Sequence, residues 1–322
     1  MKHLPLLQCL AAVSALFTAV ATAQVNWEAY NDHHGGTNTS ANTSTIAMRG
    51  AGTTGFLRNF ATGADLPVTM TVEEENGPSD DFGANATTNP GSPADVFFTG
   101  KCTIGGAAPD DGIPGLKNSL SAVIRLRFSN LDPTKRYKFR ATSCRGNVGY
   151  VDRWSRYKII EVDGYTNAHT LATVEGAPMP NLITADTFLD AELGPDEVAL
   201  NSGNNLEGSM IGWDNINPGA DGTFAIEEKQ FIGTAPFGSA VAGPYGYGLS
   251  VMYLAEVSSG PGVGTITKVS TVGGNFRIEW TGAGTLQSSD NLFSWTNLPI
   301  GVVSPYEFPV SGAQRKFFRL VE

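Results

Sequence analysis

The sequence is poor in the residues that build metal centres, disulfide scaffolds and nucleophilic active sites. Cysteine occurs three times and histidine four times in 322 residues. Cys9 and His3 sit in the amino-terminal segment, which leaves Cys102, Cys144, His33, His34 and His169 for the body of the chain. A fold with so few crosslinks has to rest on its buried core, and a chain of this length can supply one. No G-x-S-x-G elbow, Walker loop, H-E-x-x-H or dinucleotide fingerprint occurs, so the common nucleophile, phosphate and zinc-protease signatures are absent. After the first residues no apolar run is long enough to cross a bilayer of about 30 Å. Long helical periodicity is missing as well.

What is present begins with a targeting pattern. Lys2 and His3 precede an apolar run from Leu4 to Ala21, and Ala21-Thr22-Ala23 is a small-residue exit. This is the secretory order of features, and it places the first mature residue at Gln24. A lipoprotein reading through Cys9 fits less well, because most of the apolar segment follows that cysteine. The formal net charge is −10. An acidic surface repels phosphate backbones and anionic lipid, so nucleic acid is not an expected partner, and no membrane span is expected after cleavage. Export to an oxidising compartment would allow a Cys102–Cys144 disulfide, the alternative being two unpaired thiols.

The body of the chain alternates with period two. Leu66, Val68, Met70 and Val72 form one such set. Ala122, Ile124, Leu126 and Phe128 form another, with Arg125 and Arg127 on the opposite face. Tyr137, Phe139 and Ala141, then Tyr157 and Ile159, Phe224 and Ile226, and Leu249, Val251 and Tyr253 continue the pattern. Alternation punctuated by Gly, Pro, Asn and Asp marks half-buried strands. Many strands without intervening helices predict an all-β jelly roll or β-sandwich. The turn Asn130-Leu131-Asp132-Pro133 predicts that 121–129 and 136–144 pair as antiparallel neighbours. Residues 76–95 and 104–118 read as long loops, and Ile183 to Leu193 as a short helix. The Gly/Pro/Ser stretch around 259–264 reads as a linker. It divides a sandwich over 24–258 from a small C-terminal β module over 265–322, for which Trp295, Tyr306, Phe308, Phe317 and Phe318 offer an aromatic core.

The densest chemistry is Arg145-Gly146-Asn147-Val148-Gly149-Tyr150-Val151-Asp152-Arg153-Trp154. Tyr150 and Trp154 combine apolar faces with polar tips, and Asn147, Asp152 and Arg153 offer hydrogen bonds to sugar hydroxyls. The competing reading is a structural corner, with Asp152 paired to an arginine and Trp154 packed inward. Trp213 is a further candidate aromatic. Asp32, His33 and His34 read as a solvated turn rather than a chelate, because neighbours on a strand point to opposite faces. The acidic runs Glu73-Glu74-Glu75, Asp80-Asp81 and Asp110-Asp111 read as solvated surface. A structural Ca²⁺ held by carboxylates and loop carbonyls is an option without an EF-hand pattern behind it. No other cofactor is expected.

Four segments carry a resemblance. They are Phe128-Ser129-Asn130-Leu131-Asp132-Pro133 through Phe139, Tyr150-Val151-Asp152-Arg153-Trp154, Asp163 through Thr170, and Gly212-Trp213-Asp214 through Phe224. Together they resemble a galactose-binding-like jelly-roll module repeated across large extracellular bacterial proteins. Tyr165 and His169 depart from the usual Phe and Ser of that pattern. The resemblance covers most of 25–258 and implies an extracellular sandwich without assigned catalysis. The tail, with Ile278-Glu279-Trp280, Gly284 through Ser289, Trp295-Thr296, Ser304-Pro305-Tyr306 and Phe317-Phe318-Arg319-Leu320, resembles a short module found on secreted proteins of the Verrucomicrobia type. The sequence therefore leads to an extracellular protein that binds polysaccharide or a cell-surface glycan without turning it over. Its rivals are a jelly-roll hydrolase or lyase, which needs two carboxyls about 5–10 Å apart in one cleft, and a purely structural surface protein.

Overall fold

The computed structural model describes residues 25–76, 80–84, 86–105, 112–117, 121–147, 149, 151–169, 173–187, 193–231, 245–257, 265–272, 275–281, 285–289, 295–298, 302–309 and 317–321. Residues 1–24, where the secretory leader is expected, Tyr150, Asp110-Asp111 and the 259–264 stretch lie outside them. Of the described residues, 52% are strand and 3% helix. No helix among the described residues is long and apolar enough to cross a membrane. The chain divides into two compact units, Gln24–Ser259 and Gly260–Glu322.

Eight strands organise the larger unit. They are β1 Val25–Asp32, β2 Val123–Ser129, β3 Arg136–Thr142, β4 Trp154–Ile160, β5 Glu197–Asn201, β6 Ile211–Asn217, β7 Phe224–Gln230 and β8 Val251–Val257. All pairings are antiparallel, and they nest: β1 with β8, β2 with β7, β3 with β6, β4 with β5. Further pairing of β8 with β3 and of β7 with β8's counterpart β4 closes two sheets, ordered β1-β8-β3-β6 and β2-β7-β4-β5. This nested hairpin folded into two sheets is jelly-roll wiring. Gly164–Asn167 extends the first sheet to five strands, and Asp65–Glu75, Thr54–Arg58 and Leu182–Thr184 extend the second to seven.

The period-two pattern selects the faces. Ile124, Leu126 and Phe128 of β2 meet Tyr137, Phe139 and Ala141 of β3 in one core. Phe128 lies 5.9 Å from Phe139 and 4.9 Å from Phe224. The two segments flanking Pro133 are therefore in opposite sheets, not hydrogen-bonded neighbours as expected. The 130–135 turn, with Asn130 at φ 62°, arches from one layer to the other. Both segments bury an apolar face, and facing each other across the core satisfies both at once.

Other expectations change too. Leu182–Thr184 is a strand on β5 rather than the start of a helix. Helix Pro93–Phe98 interrupts the first presumed loop, with Pro at its amino end and Ala94 and Phe98 buried one turn apart. Asp80–Gly83, Gly112–Lys117 and Tyr245–Tyr247 form a small sheet within the two loop regions and beyond. Cys102 and Cys144 are both buried free thiols and form no disulfide. Glu73 and Glu75 are not simply solvated, since they pair with Arg127 and Arg125 on the outer face of the seven-stranded sheet.

Among its described residues the smaller unit has two three-stranded sheets, Thr265–Val272, Asn275–Thr281 and Tyr306–Pro309, and Thr296–Asn297, Thr285–Ser289 and Phe317–Val321. Ile278, Trp280 and Leu286 form its core, packed by Phe276, Tyr306, Phe308 and Phe318. Trp295 stacks instead on Arg319.

Candidate functional site

The outer face of the five-stranded sheet carries a row that no single stretch of sequence displays. Alternation in β3 turns Phe139 inward and Lys138 and Arg140 outward. Alternation in β8 turns Leu254 inward and Tyr253 outward. Strand register then sets Tyr30, Tyr253, Arg140 and Gly212 side by side across β1, β8, β3 and β6. Gly212 is required here: a Cβ would lie 2.5 Å from Arg140 Cδ and 2.6 Å from Nη1.

Arg140 is 2% exposed, and its donors are committed. Nε donates to Glu175 at 2.7 Å, Nη1 to the carbonyls of Phe139 and Trp213, and Nη2 to Asp214 at 2.8 Å. Lys138 Nζ reaches the same Glu175 oxygen at 2.6 Å. Glu175 is delivered by a separate two-stranded hairpin, Thr173–Val174 with Ala177–Pro178. The turn residues Glu175 and Gly176 both have positive φ, 52° and 75°, the conformation of a tight two-residue hairpin. Burial opposes ionisation of Glu175, but Arg140 and Lys138 outweigh it and hold the carboxyl below its usual range.

Tyr253 is 5% exposed. Its ring is walled by Tyr30 at 5.0 Å and by Phe97, edge-on, at 5.2 Å. Its hydroxyl makes no hydrogen bond among the described residues, yet it lies in the field of Glu28, Glu175 and Asp214. Burial, then Glu28, push that hydroxyl well above the usual tyrosine range, so it stays protonated. Arg140 is thus a positioning residue. It fixes two carboxylates near the Tyr253 hydroxyl, which has no partner among the described residues. The second oxygens of Glu175 and Asp214 accept no hydrogen bond among the described residues. The three carboxylates do not converge as a metal-ligand group among the described residues. The face therefore suits an extended ligand rich in hydroxyl donors.

Within the 145–154 segment the structure describes every residue but Val148 and Tyr150. Trp154 is 1% exposed and packs with Ile183, Ala199 and Phe231. Trp213 is fully buried between Phe139 and His169. Neither ring offers a face to a ligand. Asn147 Oδ1 accepts the Gly149 amide at 2.9 Å, closing a turn. Asp152 is exposed. Arg153 donates to the Asp152 carbonyl at 3.0 Å, and Asp152, being exposed, is not the buried partner of an arginine that the corner reading expected. Arg145 lies over the rings of Phe82 and Tyr247.

The Asp32–His34 segment is not a solvated turn. Asp32 and His33 are buried. Asp32 accepts the amides of Thr103 at 2.7 Å and Gly35 at 3.1 Å. His33 Nε2 meets Asp81 at 2.9 Å, His34 Nε2 lies 3.5 Å from the other Asp81 oxygen, and Arg49 pairs with Asp81 at 2.5 Å. The His33, His34 and Asp81 ligand atoms lie within 4.8 Å of one another, but they do not fit a metal. His33 Nδ1 accepts the Met48 amide proton at 2.7 Å, so Nε2 keeps its own proton and gives it to Asp81. A neutral imidazole then has no lone pair left for an ion. The cluster is a hydrogen-bonded clasp between the end of β1 and the Asp80–Gly83 strand.

No family model, curated protein or solved structure matches the chain.

Sequence reasoning missed Tyr253, Arg140, Glu175 and Asp214. The signal available was a tyrosine and an arginine at outward positions of otherwise apolar strands.

Proposed function

We propose that this is an extracellular, non-catalytic glycan-binding protein whose ligand lies on the Tyr253 face. The observation that carries the reading is the unbonded Tyr253 hydroxyl, set beside an aromatic wall and open carboxylate acceptors. Neutral sugars present hydroxyl donors, and the part-exposed carboxylates of Glu175 and Asp214 complement them as acceptors. The acidic net charge and the secretory leader support an extracellular glycan as the partner. The galactose-binding-like resemblance points the same way.

Hydrolysis is disfavoured by the same chemistry. A glycosidase needs one carboxyl kept protonated as an acid. On this face Arg140 and Lys138 keep Glu175 ionised. Glu228, whose carboxyl burial pushes far up, lies sealed between the sheets.

The test is calorimetry with neutral oligosaccharides chosen from a glycan array, with reducing ends assayed in parallel. Tyr253→Phe should bind about tenfold more weakly, the equivalent of one hydrogen bond of ~1.4 kcal/mol, with melting unchanged. Equal binding by Tyr253→Phe, or turnover abolished by one Asp or Glu substitution, would reject this reading.

A further inference from the structure

The smaller unit holds a second row of side chains with the opposite hydrogen-bonding character. Asn297, Gln287 and Arg319 sit side by side on three adjacent strands. They share one face, because Leu286, Phe318 and Leu320 take the other into the core. Arg319 Nε donates to Gln287 Oε1 at 2.8 Å, and Gln287 Nε2 donates to Asn297 Oδ1 at 2.6 Å. The direction of this chain is forced. Arginine can only donate, so Gln287 must accept through oxygen and pass its own amide hydrogen on. Asn297 then accepts through oxygen and turns its NH₂ outward.

Both ends of the row consequently present donors. Arg319 is exposed, and its Nη1 and Nη2 make no hydrogen bond or ion pair among the described residues. Its plane is held in two ways, by Gln287 at Nε and by the Trp295 ring 4.3 Å from the guanidinium carbon. A solvated arginine ordinarily loses rotamer entropy when it captures an anion; this one has already lost most of it. The unit also differs in charge from the rest of the chain. Residues 260–322 contain five Lys and Arg against four Asp and Glu, within a protein of net charge −10.

We propose that the Arg319 fork, with the Asn297 amide about 10 Å away across two strand spacings, is an anion-recognition row for a uronate-bearing polysaccharide. The planar guanidinium edge matches a carboxylate through two parallel N–H donors. The Asn297 amide would serve an oxygen of the neighbouring sugar. This site is independent of the Tyr253 face, whose groups are acceptors and repel a carboxylate.

The full secreted chain is titrated by calorimetry with galacturonate oligomers, with the same oligomers after carboxyl reduction, and with inorganic sulfate. The expected result is saturable binding of the uronate oligomer and none of the reduced one. Arg319→Lys keeps the charge but loses the fork, and should weaken binding at least tenfold at unchanged melting temperature. Tyr253→Phe should bind uronate as the parent does, so failure here is separable from failure of the Tyr253 reading. The proposal is overturned by any of four results: no uronate binding, equal binding of the reduced oligomer, full affinity in Arg319→Lys, or saturable binding of sulfate alone.

Discussion

Tyr157 of β4 and Glu228 of β7 face each other across the strand pair, with both side chains inside the sandwich. The Tyr157 hydroxyl donates to the Tyr247 carbonyl at 2.8 Å, so it has no proton for Glu228. Glu228 Oε2 accepts the Leu249 amide at 3.3 Å, and Oε1 has no partner among the described residues. A carboxylate so placed would be an uncompensated buried charge. Burial accordingly drives the Glu228 carboxyl far above its usual range, against the one amide that favours ionisation.

Glu228 and the buried histidines give stability a maximum in pH. Burial pushes the imidazole of His33 down, and that of His169 down to about 3. Both are neutral when folded and take a proton on unfolding below pH 6.5, so their stabilisation is present above 6.5 and lost as pH falls. Glu228 is neutral when folded and releases its proton on unfolding above pH 4.5, so stability is lost as pH rises. Each group contributes a slope of about 1.4 kcal/mol per pH unit. Between 4.5 and 6.5 the rising slope of His169 offsets the falling slope of Glu228 and His33 adds to the rise, while above 6.5 only the falling slope operates. Urea melts across pH 4.5–9 should therefore peak near pH 6.5. A curve that climbs steadily to pH 9 would contradict the assignment of Glu228.

Glu228→Gln isolates that alkaline limb. The amide keeps an oxygen for the Leu249 N–H and cannot ionise. Its stability relative to the parent should grow by about 1.4 kcal/mol per pH unit above pH 4.5, until the parent's own Glu228 ionises in the folded state. Parallel curves for the two proteins would place the charge elsewhere.

The faces of most strands were legible because burial imposes period two on residues close in sequence; β8 is the exception, since it is buried on both faces and Leu254, not the expected Val251 and Tyr253, turns toward Phe139. Arg125 and Arg127 stood out as the outward positions of β2, and they do lie outside: Arg125 stands in a cross-strand row running Glu73, Arg125, Glu227, Lys158 and Glu197, and Arg127 pairs with Glu73 and Glu161. Which strands pair was not legible. The turn at Asn130 to Pro133 has the residues of a hairpin and serves as an arch, since the difference lies in whether Phe128 and Phe139 face one core. The Tyr253 face was hidden for a related reason: Tyr30, Arg140, Glu175, Gly212 and Tyr253 come from five separate segments, and only register assembles them. His33 was misread because β1 ends at Asp32. Beyond a strand end the alternation rule no longer decides which way a side chain turns.

Trp154→Ala and Trp213→Ala should each lower stability by roughly 3–5 kcal/mol, the range for emptying a packed indole site. Chemical denaturation measures this directly. Loss of glycan binding at full stability would return either residue to the surface role that its sequence position suggested.

The two thiols should be silent in the native protein. Burial raises Cys102 well above the usual range and Cys144 to about 12, so neither is a thiolate near neutrality. An aromatic disulfide reagent should label neither in the folded state, and both after unfolding without reductant. Failure of unfolded protein to react until reductant is added would show a Cys102–Cys144 bridge.

Arg140 links the core to the ligand face, so its removal should affect both. Its guanidinium holds Glu175 and Asp214 outside and two backbone carbonyls beside it. Breaking a buried pair from one side costs about 3–5 kcal/mol, but here both carboxylates are about one-third exposed and water screens them. Arg140→Met, which keeps the apolar stem, should therefore destabilise by roughly 2–3 kcal/mol. It should also free the Glu175 hairpin and weaken neutral-glycan binding more than Tyr253→Phe does, since two acceptors lose their positions together. Arg140→Lys separates the effects: the charge remains, yet a single ammonium cannot hold both carboxylates and both carbonyls at once. It should recover much of the stability and little of the binding. Full binding by Arg140→Lys would mean that Glu175 and Asp214 are not ligand groups and that the hydroxyl of Tyr253 acts without them.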